Sequence, residues 1–224
     1  MTEEQIRAIQ NAHLPSWGRI NRARLQAVLR YAGKNVLDVG CSTGAYVRYL
    51  RAQNYQAFGV DLLSVKEWEP GTFIKADASQ LPFETRSFDT ITAFEVVEHV
   101  PNPSRALQEF RRLSRKNIIL SVPDCDTEPD LLRAGLTYTH WMDRTHCNFF
   151  TNDSLSQLLE QNGFRIINLE KINRIFPDYP VLRSYFIPAT IAFPVSRLLA
   201  HLPFRRKDFM TLLVVAEVGT PEIK

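Results

Sequence analysis

The chain has 224 residues, of which 45% are hydrophobic and 23% charged, and its formal net charge is +3. A chain of this length and composition can bury a full hydrophobic core, which argues against a wholly disordered protein. So small a net charge does not by itself indicate a nucleic-acid-binding protein.

The cysteine pattern and the lengths of the apolar stretches indicate the cellular compartment of the protein. Cys41, Cys125 and Cys147 have no CxxC spacing and cannot all pair, which favours free thiols in a reducing compartment. The N-terminal segment lacks the apolar run of a secretory signal, and no stretch has the uninterrupted apolar length of a membrane span. We therefore expect a cytoplasmic protein.

In chain order, helices come first. Apolar residues at three- and four-residue steps predict N-terminal helices within residues 1–33, ended by Gly33. Strands are predicted at 35–39, 56–60, 72–76 and 88–94, and a helix is predicted at 45–53.

The second half continues the alternation. It predicts a helix over 104–115, a strand over 117–122, a helix from a Thr151 cap to Asn162, and strands at 164–172 and 209–218. Strands that alternate with helices predict an α/β fold, with a parallel sheet covered on both faces, and we expect one domain over residues 1–224.

A glycine-containing loop follows the first predicted strand, in the segment from Asp38 to Gly44. Gly40 and Gly44 let a ligand approach the backbone N–H groups that open the next helix. The segment lacks the G-x-G-x-x-G pattern of a dinucleotide site. Asp38 would repel a pyrophosphate, but it suits a ligand that carries an ammonium group, such as S-adenosylmethionine (SAM).

Two further acids follow predicted strands. Asp61 lies 21 residues after Gly40, where a carboxylate can accept hydrogen bonds from both hydroxyls of a ribose. Asp77, followed by Ala78, ends the third predicted strand, where it can accept from an adenine amino group. Ligands of such sheets bind beyond the carboxyl ends of the strands, so these acids predict a nucleoside site.

These segments resemble the successive motifs of class I SAM-dependent methyltransferases: VLDVGCSTG at 36–44, GVD at 59–61, ADASQLPF at 76–83 and SFDTI at 87–91. The resemblance implies a Rossmann-like, doubly wound, seven-stranded sheet of order 3-2-1-4-5-7-6 with the last strand antiparallel, and S-adenosyl-L-methionine as cofactor. The residues that it implies for cofactor binding are Asp38, Gly40, Cys41, Ser42, Gly44, Asp61, Leu62, Asp77, Ala78 and Phe94. Ser42 stands where the common motif has glycine, and the usual Pro-Gly-Gly is missing between Arg115 and Asn117.

A possible metal site follows the fourth strand. If residues 95–99 form a helical turn, Glu95, Glu98 and His99 share one face and can hold a divalent ion, Mg²⁺ or Mn²⁺. His146, or alternatively His140, would complete the ligand set. The pattern resembles the Glu-x-x-Glu-His metal sites of ubiquinone-pathway O-methyltransferases and of small-RNA 3′-end methyltransferases.

The alternative is a site without metal. There, His99 caps or orients the active-site loop, and His146 or His99 acts as general base for a hydroxyl acceptor. Asp143, three residues before His146, completes the set of candidate catalytic residues. Cys147 is interpreted as a core residue rather than a nucleophile.

An insertion at about 174–208 precedes the last strand. It is rich in aromatic residues and proline and closes with Arg205, Arg206 and Lys207. It is interpreted as a lid over a hydrophobic acceptor, a contact with an anionic membrane through residues 175–207, or a helical cap or dimer contact.

The first functional hypothesis is methyl transfer to an oxygen of a small molecule, sugar or lipid-linked precursor. A second is metal-dependent 2′-O-methylation of an RNA 3′ end, for which the basic residues at 111, 112, 115 and 116 are weak support. A third is a non-catalytic partner protein with this fold, which the intact Asp38, Asp61 and Asp77 argue against. A nicotinamide dehydrogenase is disfavoured by the missing glycines.

Overall fold

The computed structural model describes residues 20–126, 143–175, 178–199, 201–202 and 208–219. The predictions for residues 1–19, His140 and Arg205–Lys207 lie outside these ranges. The elements in chain order are α1 (Arg22–Tyr31), β1 (Asn35–Val39), α2 (Ala45–Ala52), β2 (Gln56–Asp61), β3 (Phe73–Lys75), β4 (Phe88–Phe94), a 3-10 turn (Val97–His99), α3 (Pro103–Leu113), β5 (Ser114–Pro123), α4 (Asn152–Gln161), β6 (Phe164–Ile175), α5 (Asp178–Ser184), α6 (Ala189–Leu199) and β7 (Asp208–Val218).

All seven strands form one sheet, in the order β3-β2-β1-β4-β5-β7-β6. Strands β1 to β5 are parallel to their neighbours, and β7 is antiparallel to both β5 and β6. This confirms the predicted order and the antiparallel last strand. Because β6 then runs in the same direction as β5, its carboxyl end lies at the same edge of the sheet as the carboxyl ends of β1, β2 and β4.

Both faces of the sheet are buried, which explains why the strands read as continuous apolar runs. In β7, Leu212 and Val214 pack in one core cluster with residues of α3 and α4. Leu213 and Val215 point the opposite way and pack with residues of α1 and α2. Side chains alternate between faces along a strand, so a strand covered on both sides is apolar at every position.

Three predicted boundaries are wrong by a few residues. Helix α3 ends at Leu113, because Ser114 is extended and its hydroxyl donates to the carbonyl of Phe110 at 2.6 Å, so β5 begins there and not at 117. Strand β6 continues to Ile175, since it stays paired with β7 as far as Asp208. Strand β3 ends earlier than predicted, at Lys75.

The structure confirms two local expectations. Thr151 caps α4, with its hydroxyl accepting from the backbone N–H of Ser154 at 3.1 Å. The three cysteines are free thiols.

Among the described helices, none has the length and apolar character needed to cross a membrane.

Candidate active site

The carboxyl edge of the sheet brings the candidate residues together. Asp38 lies one residue before the end of β1, and Asp61 ends β2 beside it. Phe94 ends β4, the neighbour of β1 on the other side. This gathering follows from the parallel topology, because parallel strands present their carboxyl ends at one edge.

The loop between β1 and α2 has left-handed backbone at Gly40 (φ 71°) and Gly44 (φ 81°). Ser42 is also left-handed, at φ 49°, which explains why glycine is usual at this position of the motif. The Ser42 N–H donates to a carboxylate oxygen of Asp61 at 2.8 Å, and its carbonyl accepts from the indole of Trp68 at 2.9 Å. These two bonds hold a non-glycine residue in a conformation that L-residues seldom adopt.

Gly40 also joins the loop to the segment after β4. A Cβ placed on Gly40 would lie 2.3 Å from Cγ2 of Val96. The glycine loop therefore packs directly against the segment 95–99. We call the predicted cofactor residues around Asp38 and Asp61 the cofactor half of the site, and the candidate residues Glu98, His99 and His146 the acceptor half. The two halves are in contact at Gly40 and Val96.

Asp38 is a buried carboxylate, with 3% of its surface exposed. Its Oδ1 accepts a hydrogen bond of 2.7 Å from the hydroxyl of Thr92 on β4. Burial raises the pKa of Asp38 to about 7, against the opposing effect of the Thr92 hydrogen bond. A cationic ligand beside it would lower that pKa again, so the group is suited to bind an ammonium.

Asp61 has a different environment. One carboxylate oxygen accepts from the Ser42 N–H and the other from the Leu63 N–H at 3.0 Å. Burial raises the pKa of Asp61, while these backbone bonds oppose the shift. Leu62, beside it, is exposed, so an apolar surface lies next to the carboxylate.

The other predicted cofactor residues differ in their exposure. Asp77 lies in an exposed turn two residues beyond the end of β3, where its carboxylate accepts from the Ser79 N–H at 2.7 Å. Ala78 is half-buried against the core. The side chain of Cys41 packs in the core, where it occupies the space that a Cβ on Gly59 would need, so only its backbone faces the loop.

The cofactor half of the site also contains a cationic side chain, Arg24, which the sequence analysis did not identify. Arg24, on α1, forms an ion pair with Glu95 and lies 5.5 Å from the ring centroid of Phe94. The ring of Phe94 also contacts Tyr46 of α2, with centroids 5.0 Å apart. The Nε of Arg24 is buried and has no hydrogen-bond partner among the described residues.

Glu95 does not join the predicted metal set. Its backbone is left-handed (φ 56°), and the 3-10 turn begins only at Val97, so the expected helical turn over 95–99 is wrong. Its carboxylate accepts from Arg24 and from the hydroxyl of Ser121, the latter at 2.9 Å. Glu95 therefore faces the cofactor half of the site.

Glu98, His99 and His146 come together instead, with one ligand atom of each within 4.8 Å of the others. The rings of His99 and His146 have their centroids 4.7 Å apart. Glu98 is buried, with 1% of its surface exposed, and neither of its carboxylate oxygens has a hydrogen-bond partner in the described residues. Burial, with the nearby charge of Glu95, raises the pKa of Glu98 well above its ordinary value.

Backbone hydrogen bonds bring His146 to this position. The N–H groups of Cys147 and Asn148 both donate to the carbonyl of Glu98, at 2.8 and 3.1 Å. The Asn148 side chain donates to the carbonyl of Val100 at 2.7 Å. Cys147 is exposed, so the expectation that it is a core residue is wrong. Its Sγ lies 3.8 Å from the carbonyl oxygen of His99, at the surface of the 3-10 turn.

A hydrogen-bonded chain determines the tautomer of His99. Its Nδ1 lies 2.9 Å from the Thr145 hydroxyl, which donates to Asp143 at 2.6 Å, and 3.3 Å from the Thr145 carbonyl. Since a carbonyl only accepts and the hydroxyl proton is engaged, Nδ1 carries the proton and Nε2 has a free lone pair. Burial and the neighbouring His146 lower the pKa of His99, which keeps the ring neutral. Asp143, 3.7 Å from Nε2 of His146, orients both rings.

Comparison with known proteins agrees with this geometry. The sequence model of a family described as "Methyltransferase domain" matches residues 14–169. The chain belongs to this family. It is a SAM-dependent methyltransferase, as the motifs predicted.

Relatives and solved structures with this fold include O-methyltransferases. The chain is 28% identical over 172 residues to the O-methyltransferase rstn1 of Aspergillus nomiae, covering 69% of this chain and 74% of the relative. It is 32% identical over 110 residues to a ubiquinone biosynthesis O-methyltransferase of Aliivibrio fischeri, covering 42% and 47%. A SAM-dependent methyltransferase from Archaeoglobus fulgidus has the same fold, with a TM-score of 0.62, 19% identity, and coverage of 90% and 96%.

Proposed function

We propose that the protein transfers the methyl group of SAM to an oxygen atom of a small-molecule, sugar or lipid-linked acceptor. The observation that carries this proposal is the imidazole pair at residues 99 and 146, with a free lone pair on Nε2 of His99 beside the cofactor half of the site. Such a pair is suited to take a proton from a hydroxyl near neutral pH. The O-methyltransferases among the relatives support an oxygen acceptor.

In this proposal, opposite charges orient the cofactor. Asp38 accepts from the ammonium group of the SAM amino acid, and Asp61 accepts from the ribose hydroxyls. Arg24, whose charge also acts on Asp38, receives the carboxylate.

The reaction is a single displacement. The acceptor oxygen attacks the methyl carbon, the carbon–sulfur bond breaks, and its electron pair remains on the sulfur of S-adenosylhomocysteine. The acceptor proton passes to His146 or His99, whose neighbour Asp143 stabilises the charge that forms. Positioning supplies most of the rate, because the methyl group of SAM is already activated.

As an alternative in which His99 and His146 act as ligands and not as bases, we propose that Glu98, His99 and His146 hold a divalent cation. The residues fit one, since a buried carboxylate with two unpaired oxygens lies beside a neutral imidazole with a free lone pair. Two nitrogen ligands favour Mn²⁺ over Mg²⁺, which prefers oxygen. When bound, the cation would lower the pKa of a hydroxyl acceptor that it contacts.

The basic residues near α3 give little support for an RNA acceptor. Arg112 pairs with Glu109 at 2.7 Å, and Arg115 with Asp89 at 3.4 Å. These cations are therefore partly neutralised by the protein's own acids.

We propose the cytoplasm as the location, which the free thiols support.

His146→Ala tests the assignment of the base, with the exposed neighbour Cys147→Ala as the matched control. We expect His146→Ala to lower methylation of a hydroxyl acceptor about 100-fold or more, in the range for loss of a general base. Its Kd for SAM, measured by calorimetry, should change less than threefold. Equal losses in both measurements would mean that His146 is structural.

Mn²⁺ binding tests the metal. Protein dialysed against EDTA is titrated with Mn²⁺ and the free ion is measured by electron paramagnetic resonance. Glu98→Gln and His146→Ala should abolish binding, whereas Glu95→Gln, whose parent carboxylate pairs with Arg24, should retain it. Full methylation activity in excess EDTA would exclude a required metal and leave the imidazole pair as the base.

A further inference from the structure

Between β6 and β7, helix α6 and the turn that precedes it expose large apolar side chains. Helix α6 buries Ala192 and Ser196, two of its smallest residues, and turns larger ones outward. With the preceding turn it forms an apolar surface, whose members are Tyr185, Phe186, Ile191, Phe193, Val195 and Leu198. We call this the α5–α6 surface. Its polarity is the reverse of an ordinary surface helix, which hides its large apolar residues.

The most exposed member is held outward by the backbone. The side chain of Phe186 is 93% exposed, and its φ of 61° lies in the left-handed region. The Phe186 N–H donates to the carbonyl of Arg183 at 3.0 Å, and the Ile187 N–H to that of Leu182 at 3.4 Å. A bulky residue is strained in this conformation. The turn therefore holds an aromatic ring in solvent at a conformational cost.

The charged residues near the α5–α6 surface indicate which kind of partner binds to it. In the sequence, residues 178–208 contain five basic and two acidic side chains, and three of the basic ones, at 205–207, lie outside the described residues. Within this segment, Arg183 and Arg197 are exposed on the helices that carry the apolar surface. Apolar side chains flanked by basic ones match a surface that offers hydrocarbon beneath negative charge.

The topology places the helices at the catalytic edge. They follow Ile175, at the carboxyl end of β6, which lies at the same edge as Asp38 and Asp61. Asn173, near that end, accepts from the side chain of Asn21, which caps α1, the helix that carries Arg24. A partner on the α5–α6 surface would therefore lie at the same edge of the sheet as the candidate site.

We propose that the α5–α6 surface docks on an anionic phospholipid membrane. The aromatic and aliphatic side chains enter the boundary between headgroups and acyl chains, and the arginines contact the phosphates. The docking does not depend on the identity of the acceptor, although it places the site beside acceptors that reside in the membrane.

Vesicle flotation tests the proposal. The full chain is mixed with vesicles of phosphatidylcholine alone, or of phosphatidylcholine and phosphatidylserine at a ratio of about seven to three, at low and high salt. We expect binding to the anionic vesicles that falls about tenfold between 0.1 and 0.5 M NaCl, because salt screens the basic side chains. Neutral vesicles should bind at least tenfold more weakly.

Phe186→Ser combined with Leu198→Ser should reduce binding to anionic vesicles about tenfold or more, since both side chains lose the apolar area that enters the bilayer. The matched control is Leu29→Ser, an exposed leucine on α1, which should bind as the unaltered protein does. Each variant must retain its SAM affinity, which shows that it is folded.

Several outcomes would overturn the proposal. The first is no flotation of the unaltered protein, or equal flotation with neutral and anionic vesicles. A second is equal flotation of the double variant. A third is a dimer in sedimentation that the double variant converts to a monomer, without vesicle binding, which would assign the surface to a second copy of the chain. None of these results bears on methyl transfer, which is measured separately.

Discussion

The two halves of the site differ in how the protein satisfies its buried acids. In the cofactor half, Asp38 accepts from Thr92, and Asp61 accepts from two backbone N–H groups. In the acceptor half, neither oxygen of Glu98 has a partner within the described ranges. The cofactor half is thus organised by the protein's own donors, whereas Glu98 requires a proton or a cation from outside.

The largest expected effect concerns the charge of Asp38. Asp38→Asn should weaken SAM binding about 100-fold, because a buried ion pair with the ammonium loses one partner. Calorimetry with SAM and with S-adenosylhomocysteine measures the loss, and Asp126→Asn, an exposed acid outside the site, is the control. A change below threefold would show that the ammonium binds elsewhere.

Gly40→Ala tests the packing contact between the two halves of the site. The new Cβ would clash with Val96, and the left-handed backbone adds strain, so we expect a loss of about 2 kcal/mol in the free energy of unfolding. Denaturant titration measures it. Val96→Ala in the same chain should restore part of the loss by removing the clash. No restoration would mean that the backbone alone determines the effect.

The pH dependence of SAM binding follows from Asp38. Its pKa in the free protein is about 7, and only the ionised carboxylate attracts the ammonium. The Kd for SAM should therefore rise as pH falls below 7, approaching tenfold per pH unit, and level off above pH 8. Asp38→Asn should remove this dependence. A profile for Asp38→Asn with the same slope would assign the titration to another group.

Glu98 is expected to lower stability at high pH. Its pKa in the folded state is raised, so the folded protein binds more protons than the unfolded chain above pH 4.5, and stability falls as the pH rises through that window. In EDTA, Glu98→Gln should therefore raise the melting temperature at pH 8 by about 2–4 °C, and by little at pH 5. With Mn²⁺ present, Glu98→Gln should instead lower the melting temperature, because the bound ion then stabilises the unaltered protein.

The smallest effect concerns the partner of Asp38. Thr92→Val removes one hydrogen bond to the carboxylate and should weaken SAM binding about fivefold. Thr92→Ser keeps a hydroxyl and should bind nearly as the unaltered protein does. If the serine variant were as weak as the valine variant, packing of the threonine methyl would be responsible.

The sequence alone determined the sheet order, through its family motifs, and most of the elements. The residues that it predicted for the cofactor, Asp38, Gly40, Gly44 and Asp61, lie within a few residues of strand ends, where periodicity and turn chemistry are local signals. Thr90 and Thr92 lie two residues apart in β4, on the same face of the strand, and this pair was a signal that could have identified the partner of Asp38.

Only the tertiary structure decided the rest. Arg24 reaches Glu95 across 71 positions of the chain, and Thr145 reaches His99 across 46, so no local pattern marks either contact. The left-handed backbone of Glu95 separates it from Glu98, although their spacing suggests a shared helical face. The outward orientation of α6 depends on which of its faces packs against α5, and composition does not reveal that choice. Long-range packing decides which side chains meet, and it is read only from the folded chain.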